Sequence, residues 1–514
     1  MSVSLWAHQR RALDEIAAAI ANGETNICLT SPTGGGKTAI MTELLLDHGG
    51  SAAVYTDRIM LRVQLSGCLS DANIDHGVRA AGCKPDLSKR IQLCQMQTEG
   101  SKTSNGRAVH PSDLVIIDEA HKMAADTMMA LDDEHLNLKP NRIKIGTTAT
   151  PLGIGHFYDH LVVAGTNSEL RDCGALVPAY HYGPDEPDTK WIKNIKVDGG
   201  ECGIPNARRN EYVHCVFGRV LDHIHIYNPQ LLPMLLFAPG VEQSKWFAQE
   251  LTKHGIPSAH IDGTEIWVDD MELDPTDDNR AMLAERSRIG DIKCVCNRFV
   301  MREGINWPWL YHGILATVFG SLTSYVQAGG RLLRNHPDLP GHVIIQDHGG
   351  NWHRHGSLNS DREWDLGYDD RIAQGMRKTR LQNKQDSEPI VCPKCYACRL
   401  SGPECPQCGY RHTKRVRGVL QKDGTLREMR GDIYRAPRRM EPSEKVEKDW
   451  VGRIRGIRKS IKPKVMTMTF AQAEVSFARD HKWMYPPRGL PEQPLDPADW
   501  FRPIQKVPYD RLSR

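Results

Sequence analysis

The sequence lacks a long uninterrupted apolar run. Its best candidate, residues 231–241, is short and contains Pro233 and Pro239, whereas a membrane helix needs about 18 apolar residues. The first residues, MSVSLWAHQRR, have no apolar core and become basic early, which is untypical of a secretory signal. We therefore expect a cytoplasmic protein without a membrane segment.

A large excess of one charge and a high aromatic content are also absent. The chain has 66 Lys and Arg against 63 Asp and Glu, a net charge of +3, and 7% aromatic residues. This balance excludes a disordered acidic chain and a histone-like chain. At roughly 150 residues per domain, the 514 residues allow about three domains. No internal repeat is visible.

Short apolar runs alternate with helical patterns up to about residue 350. A helix is predicted at 9–21, and strands are predicted at 26–30, 52–56, 114–117, 142–146, 235–238, 293–296 and 342–345. Continuously apolar strands between helices are typical of parallel sheets buried on both faces. The pattern predicts an α/β fold with two parallel-sheet lobes in tandem.

Changes in composition suggest where the domains end. The predicted segments are a first lobe (1–182), an inter-lobe connection (183–209), a second lobe (210–386), a cysteine-rich segment (387–412) and a basic C-terminal region (413–514). The connection is rich in glycine, proline and charge. Residues 262–278 contain eight acidic residues and no Lys or Arg, which we interpret as a solvated loop.

A glycine-rich segment, Ser31-Pro-Thr-Gly-Gly-Gly-Lys-Thr38, follows the first predicted strand. Glycines let backbone N–H groups point at a phosphate, Lys37 can reach the β- and γ-phosphate oxygens, and the Thr38 hydroxyl can bind Mg²⁺. The alternative is a glycine-rich turn followed by chance by Lys-Thr. The strand before and the helix after it favour an ATP site formed by Thr33, Gly34, Gly35, Gly36, Lys37 and Thr38.

Another predicted strand ends at Asp118-Glu-Ala-His121. Asp118 could hold Mg²⁺ through water together with Thr38, and Glu119 could polarise the attacking water. A helix start with favourable acidic residues is the alternative. Downstream of a phosphate loop, the pattern instead predicts ATP hydrolysis with Lys37 and Glu119 as catalytic residues.

These two segments and several later ones resemble the motifs of superfamily-two DEAH-box helicases and translocases, over roughly residues 5–350. The resemblance implies two RecA-like lobes that close on ATP. It implies that Gln9 reads adenine. It implies nucleic-acid contacts by Arg58, Gln64 and Thr98. The residues implied to couple hydrolysis to movement are His121, Thr148, Thr150 and Gln327.

Two segments of the second lobe extend the resemblance. Met301-Arg-Glu-Gly-Ile-Asn-Trp-Pro308 implies nucleotide contacts by Glu303 and Gly304. Gln327-Ala-Gly-Gly-Arg-Leu-Leu-Arg334 implies that Arg331 and Arg334 reach the γ-phosphate, although each could instead form a surface salt bridge. A spacing of three after Gly-Gly suits a helix. Ala328 and Gly329 depart from the family pattern, which often has Arg and a larger residue there.

A histidine-rich segment, followed by a cysteine cluster, is similar to RadD-like and XPB-like helicases of bacteria and phages, which places the chain in a bacterial or phage-infected cell. His348, His353 and His355 could suggest a metal site. No supporting cysteine or carboxylate spacing accompanies them, so we expect these histidines to pack at the edge of the lobe.

Five of the fourteen cysteines lie between Cys392 and Cys408. Two Cys-Pro-x-Cys pairs predict a zinc ribbon with four thiolate ligands, Cys392, Cys395, Cys405 and Cys408. Cys398 could replace one ligand, and disulfide or redox chemistry is the alternative.

The segment 410–464 has a net charge of +11, which leaves −8 for the rest of the chain. It is either a solvated charged face or an auxiliary nucleic-acid-binding region.

The sequence therefore predicts an ATP-, Mg²⁺- and Zn²⁺-dependent nucleic-acid helicase or translocase, acting on DNA in preference to RNA. Two alternatives are an ATP-gated duplex-binding remodeller and the motor subunit of a restriction or defence complex. Protein partners in replication, repair or defence are not identified by the sequence.

Overall fold

The computed structural model describes residues 5–57, 59–104, 109–123, 125–184, 196–198, 201–203, 215–217, 219–302, 307–369, 390–391, 398–399, 420–422, 424–430 and 438–439. The predicted site residues outside these ranges are Arg58, Glu303, Gly304, Cys392, Cys395, Cys405 and Cys408. No helix in the described ranges is long and apolar enough to cross a bilayer.

The chain forms two compact units, each built on its own sheet. The first unit comprises Met1–Leu176, Asn359–Asp370 and Tyr434–Arg514, and the second comprises Val177–Leu358 and Arg371–Ile433. Helices alternate with parallel strands in both units, and the predicted α/β fold class is confirmed.

The first unit contains a seven-stranded parallel sheet. Its elements are α1 (Ala7–Ala21), β1 (Asn26–Thr30), α2 (Lys37–Asp47), β2 (Ala52–Thr56), α3 (Ile59–Asp71), β3 (Gly77–Arg79), β4 (Ile91–Gln95), α4 (Met96–Ser104), β5 (Leu114–Asp118), a 3₁₀ turn (Ala120–Lys122), α5 (Asp126–Leu138), β6 (Ile143–Thr148), β7 (His160–Val163) and α6 (Asn167–Asp172). The strand order is β3-β4-β2-β5-β6-β1-β7, with every neighbouring pair parallel.

The central strands of this sheet are buried along their whole length. Every residue of β1, β2, β4 and β5 is buried, because helices cover both faces. All strands of a parallel sheet end at the same edge, and ligands of such folds bind outside that edge. The carboxyl ends of β1, β2, β4, β5 and β6 therefore bring the phosphate loop, Asp57, Gln95, Asp118 and Thr148 to one edge.

The second unit contains a nine-stranded mixed sheet. Its main elements are β8 (Ala179–Gly183), β9 (Lys196–Asp198), β10 (Glu201–Gly203), β11 (Cys215–Phe217), α7 (Val220–Tyr227), β12 (Met234–Phe237), α8 (Val241–Lys253), β13 (Ser258–Ile261), β14 (Ile266–Val268), β15 (Met271–Leu273), α9 (Asp277–Arg288), β16 (Cys294–Asn297), β17 (His312–Leu315), α10 (Leu322–Gly330), β18 (Val343–Asp347) and α11 (Asn351–His355). The remaining short strands of this unit are β20 (Ile390–Val391), β21 (Cys398–Arg399), β22 (Leu420–Lys422) and β23 (Arg427–Glu428). The short strands β19 (Tyr368–Asp369) and β24 (Arg438–Arg439) belong to the first unit.

The order of this sheet is β15-β14-β13-β16-β12-β17-β18-β8-β23. The six strands from β13 to β8 run parallel, whereas β14, β15 and β23 are antiparallel to their neighbours. The short strands pair as β10 with β9, β11 with β22, β19 with β24, and β20 with β21.

Two segment boundaries differ from those predicted. The predicted first lobe includes β8, whereas β8 pairs with β18 in the second sheet, so the structure divides the units between Leu176 and Val177. Residues 359–369 were predicted in the second lobe and belong to the first unit. The reason is hydrogen bonding: Gly153 N donates to Tyr368 O at 2.9 Å, and Asn167 Nδ2 donates to Ser360 O at 2.9 Å.

The acidic stretch 262–278 is not the loop that its composition predicted. It contains the antiparallel hairpin β14–β15 and the first turn of α9. Apolar residues of β14 are buried, while most of the acidic side chains are exposed. Most of the acidic residues therefore lie on the solvent-exposed side of the hairpin and of the first turn of α9.

Candidate nucleotide and nucleic-acid site

The phosphate loop joins β1 to α2 at the carboxyl edge of the first sheet. Gly36 caps α2 with φ 78° and ψ 34°, a left-handed conformation that favours glycine. A Cβ on Gly36 would collide with the Gln9 amide, and one on Gly35 would collide with the Ser31 side chain. Lys37 Nζ donates to Ser31 O at 3.1 Å, so the ammonium lies over the loop. The loop therefore requires glycine at both positions, and a glycine-rich loop with backbone N–H groups and a lysine ammonium fits a phosphate group.

Gln9 packs directly against this loop. Its Nε2 donates to Gly35 O at 3.2 Å, and its Oε1 accepts from Trp6 N at 2.9 Å. His8 Nε2 lies 3.1 Å from the same Gly35 oxygen. Both side chains are buried. The structure thus places Gln9 beside the nucleotide loop, while its reading of adenine stays a prediction.

Asp118 lies buried at the end of β5. Its Oδ1 accepts from Thr147 Oγ1 at 2.9 Å and from Glu119 N at 3.0 Å. Burial, and then the charge of Glu119, raise the pKa of the Asp118 carboxyl to about 6, while Thr147 and Lys37 lower it. A divalent cation would stabilise the ionised form. Asp118 and the Thr38 hydroxyl offer only oxygen ligands, which fits Mg²⁺.

The predicted coupling residues of the first unit form one hydrogen-bonded network with Glu119. Glu119 adopts a left-handed conformation, with φ 56° and ψ 53°, which is uncommon for a residue other than glycine. His121 Nδ1 lies 3.3 Å from Glu119 Oε2 and 3.2 Å from Thr148 Oγ1. Thr150 N donates to Thr148 Oγ1 at 3.1 Å. Ser31 N donates to Thr148 O at 3.1 Å and so joins this network to the phosphate loop.

Asp57 is a site residue that the sequence analysis missed. Its Oδ2 pairs with Lys122 Nζ at 2.5 Å, and its Oδ1 accepts from Gln97 Nε2 at 2.5 Å. Gln95 Nε2 donates to the Asp57 backbone oxygen at 2.6 Å. Asp57 directly precedes Arg58, one of the predicted nucleic-acid contacts, and this position was the available signal. It connects the segments after β2, β4 and β5.

The predicted nucleic-acid contacts have different surroundings. Gln64 is exposed on α3. The Thr98 hydroxyl, half-buried on α4, accepts from Ala81 N at 3.2 Å. The next residue, Glu99, forms a buried ion pair with Arg79 at 2.8 Å. This pair fixes α4 to the end of β3 and holds Thr98 on a rigid element.

In the second unit, Gln327, Arg331 and Arg334 lie at the end of α10. Gln327 is buried in the helix, but α10 ends at Gly330, so the two arginines follow the helix instead of lying on it as predicted. Burial, and then the charge of Arg331, lower the pKa of Arg334 to about 10. The two positively charged guanidinium groups repel each other, and a bound anion would reduce this repulsion.

The departure at Gly329 has a packing reason. A Cβ on Gly329 would lie 2.5 Å from a methyl carbon of Leu358. The larger residue of the family pattern therefore has no space on this face of α10.

The three C-terminal histidines of the second unit have separate partners. His348 Nε2 lies 2.6 Å from Gln346 Nε2, His353 Nε2 lies 2.7 Å from Pro184 O, and His355 Nε2 lies 2.8 Å from Phe319 O. They do not converge on one centre in the described residues.

Comparisons with known proteins agree with this geometry. Residues 2–153 match the ResIII family, described as the res subunit of type III restriction enzymes. The match includes the phosphate loop, Asp118, Glu119 and Thr148. It supports the resemblance to superfamily-two helicases and an ATP-dependent motor of that kind.

More distant similarity extends over most of the chain. A 51.5 kDa protein of Lactococcus phage (isolate 7-9) is 25% identical over 392 residues, which are 74% of this chain and 77% of the phage protein. The DUF1998 helicase MrfA bound to DNA has a TM-score of 0.44 and 18% identity over 67% of this chain and 46% of MrfA. The type ISP restriction-modification enzyme LlaBIII bound to DNA has a TM-score of 0.44 and 17% identity over 68% of this chain and 28% of LlaBIII. The chain thus spans less than half the length of each of these two structures.

Proposed function

We propose that the chain is an ATP-dependent helicase or translocase that acts on DNA. The observation that carries the proposal is the network at one sheet edge. His121 Nδ1 lies 3.3 Å from Glu119 Oε2 and 3.2 Å from Thr148 Oγ1, and Ser31 N of the phosphate loop donates to Thr148 O. A hydrolytic carboxylate tied to a phosphate loop can respond to the presence of a γ-phosphate.

Each group has a distinct role in hydrolysis. The glycines and Lys37 bind the phosphates, and Thr38 and Asp118 hold Mg²⁺, which neutralises the developing charge when it is bound. Glu119 orients and deprotonates water, with His121 fixing the carboxylate. Arg331 and Arg334 stabilise the γ-phosphate, and Glu303 and Gly304 contact the nucleotide. Gln327 couples hydrolysis to movement together with His121, Thr148 and Thr150. Gln9 selects adenine.

The proposed nucleic-acid side uses Arg58, Gln64 and Thr98, which follow neighbouring strands or lie on the adjacent helices. Contacts of this kind are made to the phosphates and sugars of the nucleic acid and do not distinguish between base sequences. We therefore expect a motor without strong sequence preference. The basic region 413–514 adds phosphate contacts.

The test is ATPase activity measured with single-stranded DNA, duplex DNA, forked DNA and RNA, with Lys37→Ala as the inactive control. DNA should stimulate turnover, and a strand-displacement assay on the fork separates a helicase from a translocase. Equal rates with and without every nucleic acid would contradict the proposal. Stimulation by RNA alone would contradict the assignment to DNA.

A second candidate is the motor subunit of a restriction or defence complex, which the ResIII match favours. Such a subunit translocates on duplex DNA without separating strands. It should displace a third strand from a triplex in an ATP-dependent manner while leaving a forked duplex intact. Strand separation on the fork would exclude this candidate.

We also propose a zinc ribbon formed by Cys392, Cys395, Cys405 and Cys408. Two Cys-Pro-x-Cys pairs offer four thiolates, a typical structural zinc set. Elemental analysis of protein purified without chelator should find zinc that Cys405→Ser loses and Cys398→Ser retains. Loss of zinc in Cys398→Ser would make Cys398 a ligand. Absence of zinc from the unmodified chain would exclude the ribbon.

A further inference from the structure

Three metal-ligating side chains converge at the turn between β13 and β14 of the second unit. His260 lies on β13, Asp262 follows the strand, and Glu265 precedes β14. His260 Nε2 lies 3.5 Å from Asp262 Oδ2 and 3.9 Å from Glu265 Oε1. One ligand atom from each residue lies within 4.8 Å of the others, and no other group of three His, Cys, Asp or Glu does so in the described ranges.

His260 supplies an independent sign of a ligand. The side chain is fully buried, and its Nδ1 lies 2.7 Å from Ser244 Oγ on α8. Its Nε2 makes no hydrogen bond to any residue that the structure describes. When Nδ1 carries its hydrogen towards Ser244, the Nε2 lone pair faces two carboxylates. In that tautomer a cation would satisfy the buried acceptor, whereas in the other tautomer Nε2–H would point towards Asp262 Oδ2 at 3.5 Å.

Asp262 is held in one orientation by its own turn. Its Oδ1 accepts from Thr264 N at 2.6 Å, from Thr264 Oγ1 at 2.8 Å and from Glu265 N at 2.8 Å. The other oxygen, Oδ2, is the one nearer to His260. The carboxylate is therefore fixed before any ion binds, which lowers the entropy cost of binding.

The charged groups around these three side chains have a negative net charge, which favours a divalent cation. Lys245 on α8 pairs with Glu265 at 3.0 Å and also with Glu272. Three carboxylates and one ammonium, beside a neutral imidazole, leave a net charge of −2. Lys245 therefore offsets only part of the negative charge.

We propose that His260, Asp262 and Glu265 bind one divalent transition-metal ion, for which Mn²⁺ serves as the probe because it accepts carboxylate ligands and is little bound by thiolates. Imidazole and carboxylate ligands lie about 2.0–2.2 Å from such ions, so two ligand atoms on one ion are at most about 4.4 Å apart. The separations of His260 Nε2 from Asp262 Oδ2 and from Glu265 Oε1, 3.5 Å and 3.9 Å, are already below this limit. Ser244 fixes the imidazole from behind, as the hydrogen-bond partners of metal-bound histidines do. The ion would cross-link β13 to the β13–β14 turn, and Ser244 would tie the liganded His260 to α8, independently of ATP hydrolysis.

The test uses the full-length chain after chelator treatment, titrated with Mn²⁺ in the absence of nucleotide. The loss of the paramagnetic resonance signal of free Mn²⁺ measures binding. Thiolates favour softer metals, so the cysteine pairs should take up little Mn²⁺. Asp118→Asn separates this site from the proposed nucleotide-linked Mg²⁺ site.

One Mn²⁺ should bind per chain to the unmodified protein, to Asp118→Asn and to Asp270→Asn, which removes an exposed carboxylate of the neighbouring hairpin. Glu265→Gln and His260→Gln should weaken binding by at least about tenfold, and Ser244→Ala should do so with an intact ligand set. If His260→Gln fails to fold, the more exposed Glu265 still provides the test. Equal affinity in Glu265→Gln and the unmodified chain, or no Mn²⁺ bound to the latter, would overturn the proposal. Loss only in Asp118→Asn would assign the ion to the nucleotide site and overturn it as well.

Discussion

The carboxylate of Asp57 forms an ion pair with the ammonium of Lys122 at 2.5 Å. Asp57 follows β2, in the segment proposed to contact nucleic acid, and Lys122 lies three residues beyond Glu119. The same carboxylate accepts a hydrogen bond from Gln97 after β4. We therefore expect a displacement of either segment to reach the turn that carries Glu119, the proposed hydrolytic carboxylate.

Asp57→Asn should reduce the stimulation of ATPase activity by DNA by about fivefold or more, within the usual range of coupling between sites. Asn retains an acceptor for Gln97 and loses the charge that pairs with Lys122. The unstimulated rate should stay near that of the unmodified chain. The measurement is turnover with saturating ATP across a DNA titration.

A double-mutant cycle with Lys122→Met supplies the control. If the ion pair carries the coupling, the double variant should be no worse than either single variant. The hypothesis would be wrong if the two substitutions reduced the stimulation by DNA additively. It would also be wrong if Asp57→Asn and the unmodified chain were stimulated equally.

The sequence predicted the parts of the fold that have strong local signals. The phosphate loop and β5 combine apolar runs with chemically demanding residues, and the structure places both at one sheet edge. The strand β4 was missed because Gln92 and Gln95 interrupt its apolar pattern. Both side chains are buried in the structure, where Gln92 bonds to Asp86 O and Gln95 to Asp57 O.

The relationships that were missed depend on tertiary contacts. The role of Asp57 requires the ends of β2, β4 and β5 to meet, which no local pattern specifies. The assignment of β8 to the second sheet depends on its pairing with β18. The cluster at His260 was obscured because its acidic residues read as a solvated loop.

Glu119→Gln should keep ATP binding and lower turnover by at least about 100-fold, because only the carboxylate that deprotonates water is lost. Lys37→Ala should also weaken binding, because its ammonium faces the phosphates. Equilibrium binding of a fluorescent ATP analogue and steady-state hydrolysis distinguish the two variants. Turnover near the unmodified rate in Glu119→Gln would remove its assigned role.

Arg334→Ala and Arg331→Ala should each lower turnover by roughly 10³-fold, the range found for arginine fingers. Arg288→Ala is the matched control, because it removes an exposed arginine of the same unit that pairs with Glu285. Single-turnover hydrolysis with saturating DNA measures the chemical step. Rates equal to that of Arg288→Ala would show that neither arginine acts on the γ-phosphate.

His135 should make the stability of the first unit depend on pH. Burial, and then the charge of His110, lower the pKa of His135 to about 4, below its unfolded value of about 6.5. The neutral imidazole, which lies 2.7 Å from Tyr55 Oη, therefore stabilises the fold fully above pH 6.5. This stability decreases as the pH falls from 6.5 towards 4, because only the unfolded state gains the proton.

Between pH 7 and pH 5 the expected loss in the free energy of unfolding is about 2 kcal/mol from this histidine. His135→Gln keeps an acceptor for Tyr55 and does not titrate, so its loss over the same interval should be smaller by that amount. Urea unfolding of both proteins at the two pH values measures the difference. An equal change in the free energy of unfolding of the two proteins would show that His135 is not the source of this pH dependence.

The basic C-terminal region should supply phosphate contacts, but it cannot be tested by simple truncation. Strand β23 pairs with β8, and Leu426 N donates to His223 Nε2 at 3.0 Å, so part of this region belongs to the second unit. Substitution of charges avoids this problem. The variant replaces Arg453, Arg455, Arg458 and Lys459 by Gln.

Each phosphate contact on duplex DNA contributes about 0.9 to the slope of log affinity against log salt, so losing four contacts should flatten the slope by about 3 to 4. The control replaces four basic residues elsewhere by Gln, namely the exposed Lys84, Lys253 and Arg288 and the half-buried Lys139. It changes the net charge equally and should shift the slope much less. DNA binding at several salt concentrations compares the two variants with the unmodified chain. A contact with a DNA phosphate releases counterions, whereas a change in the net charge of the protein alone does so only weakly. Equal slopes for both variants would therefore mean that the positive charge of 410–464 is a solvated face.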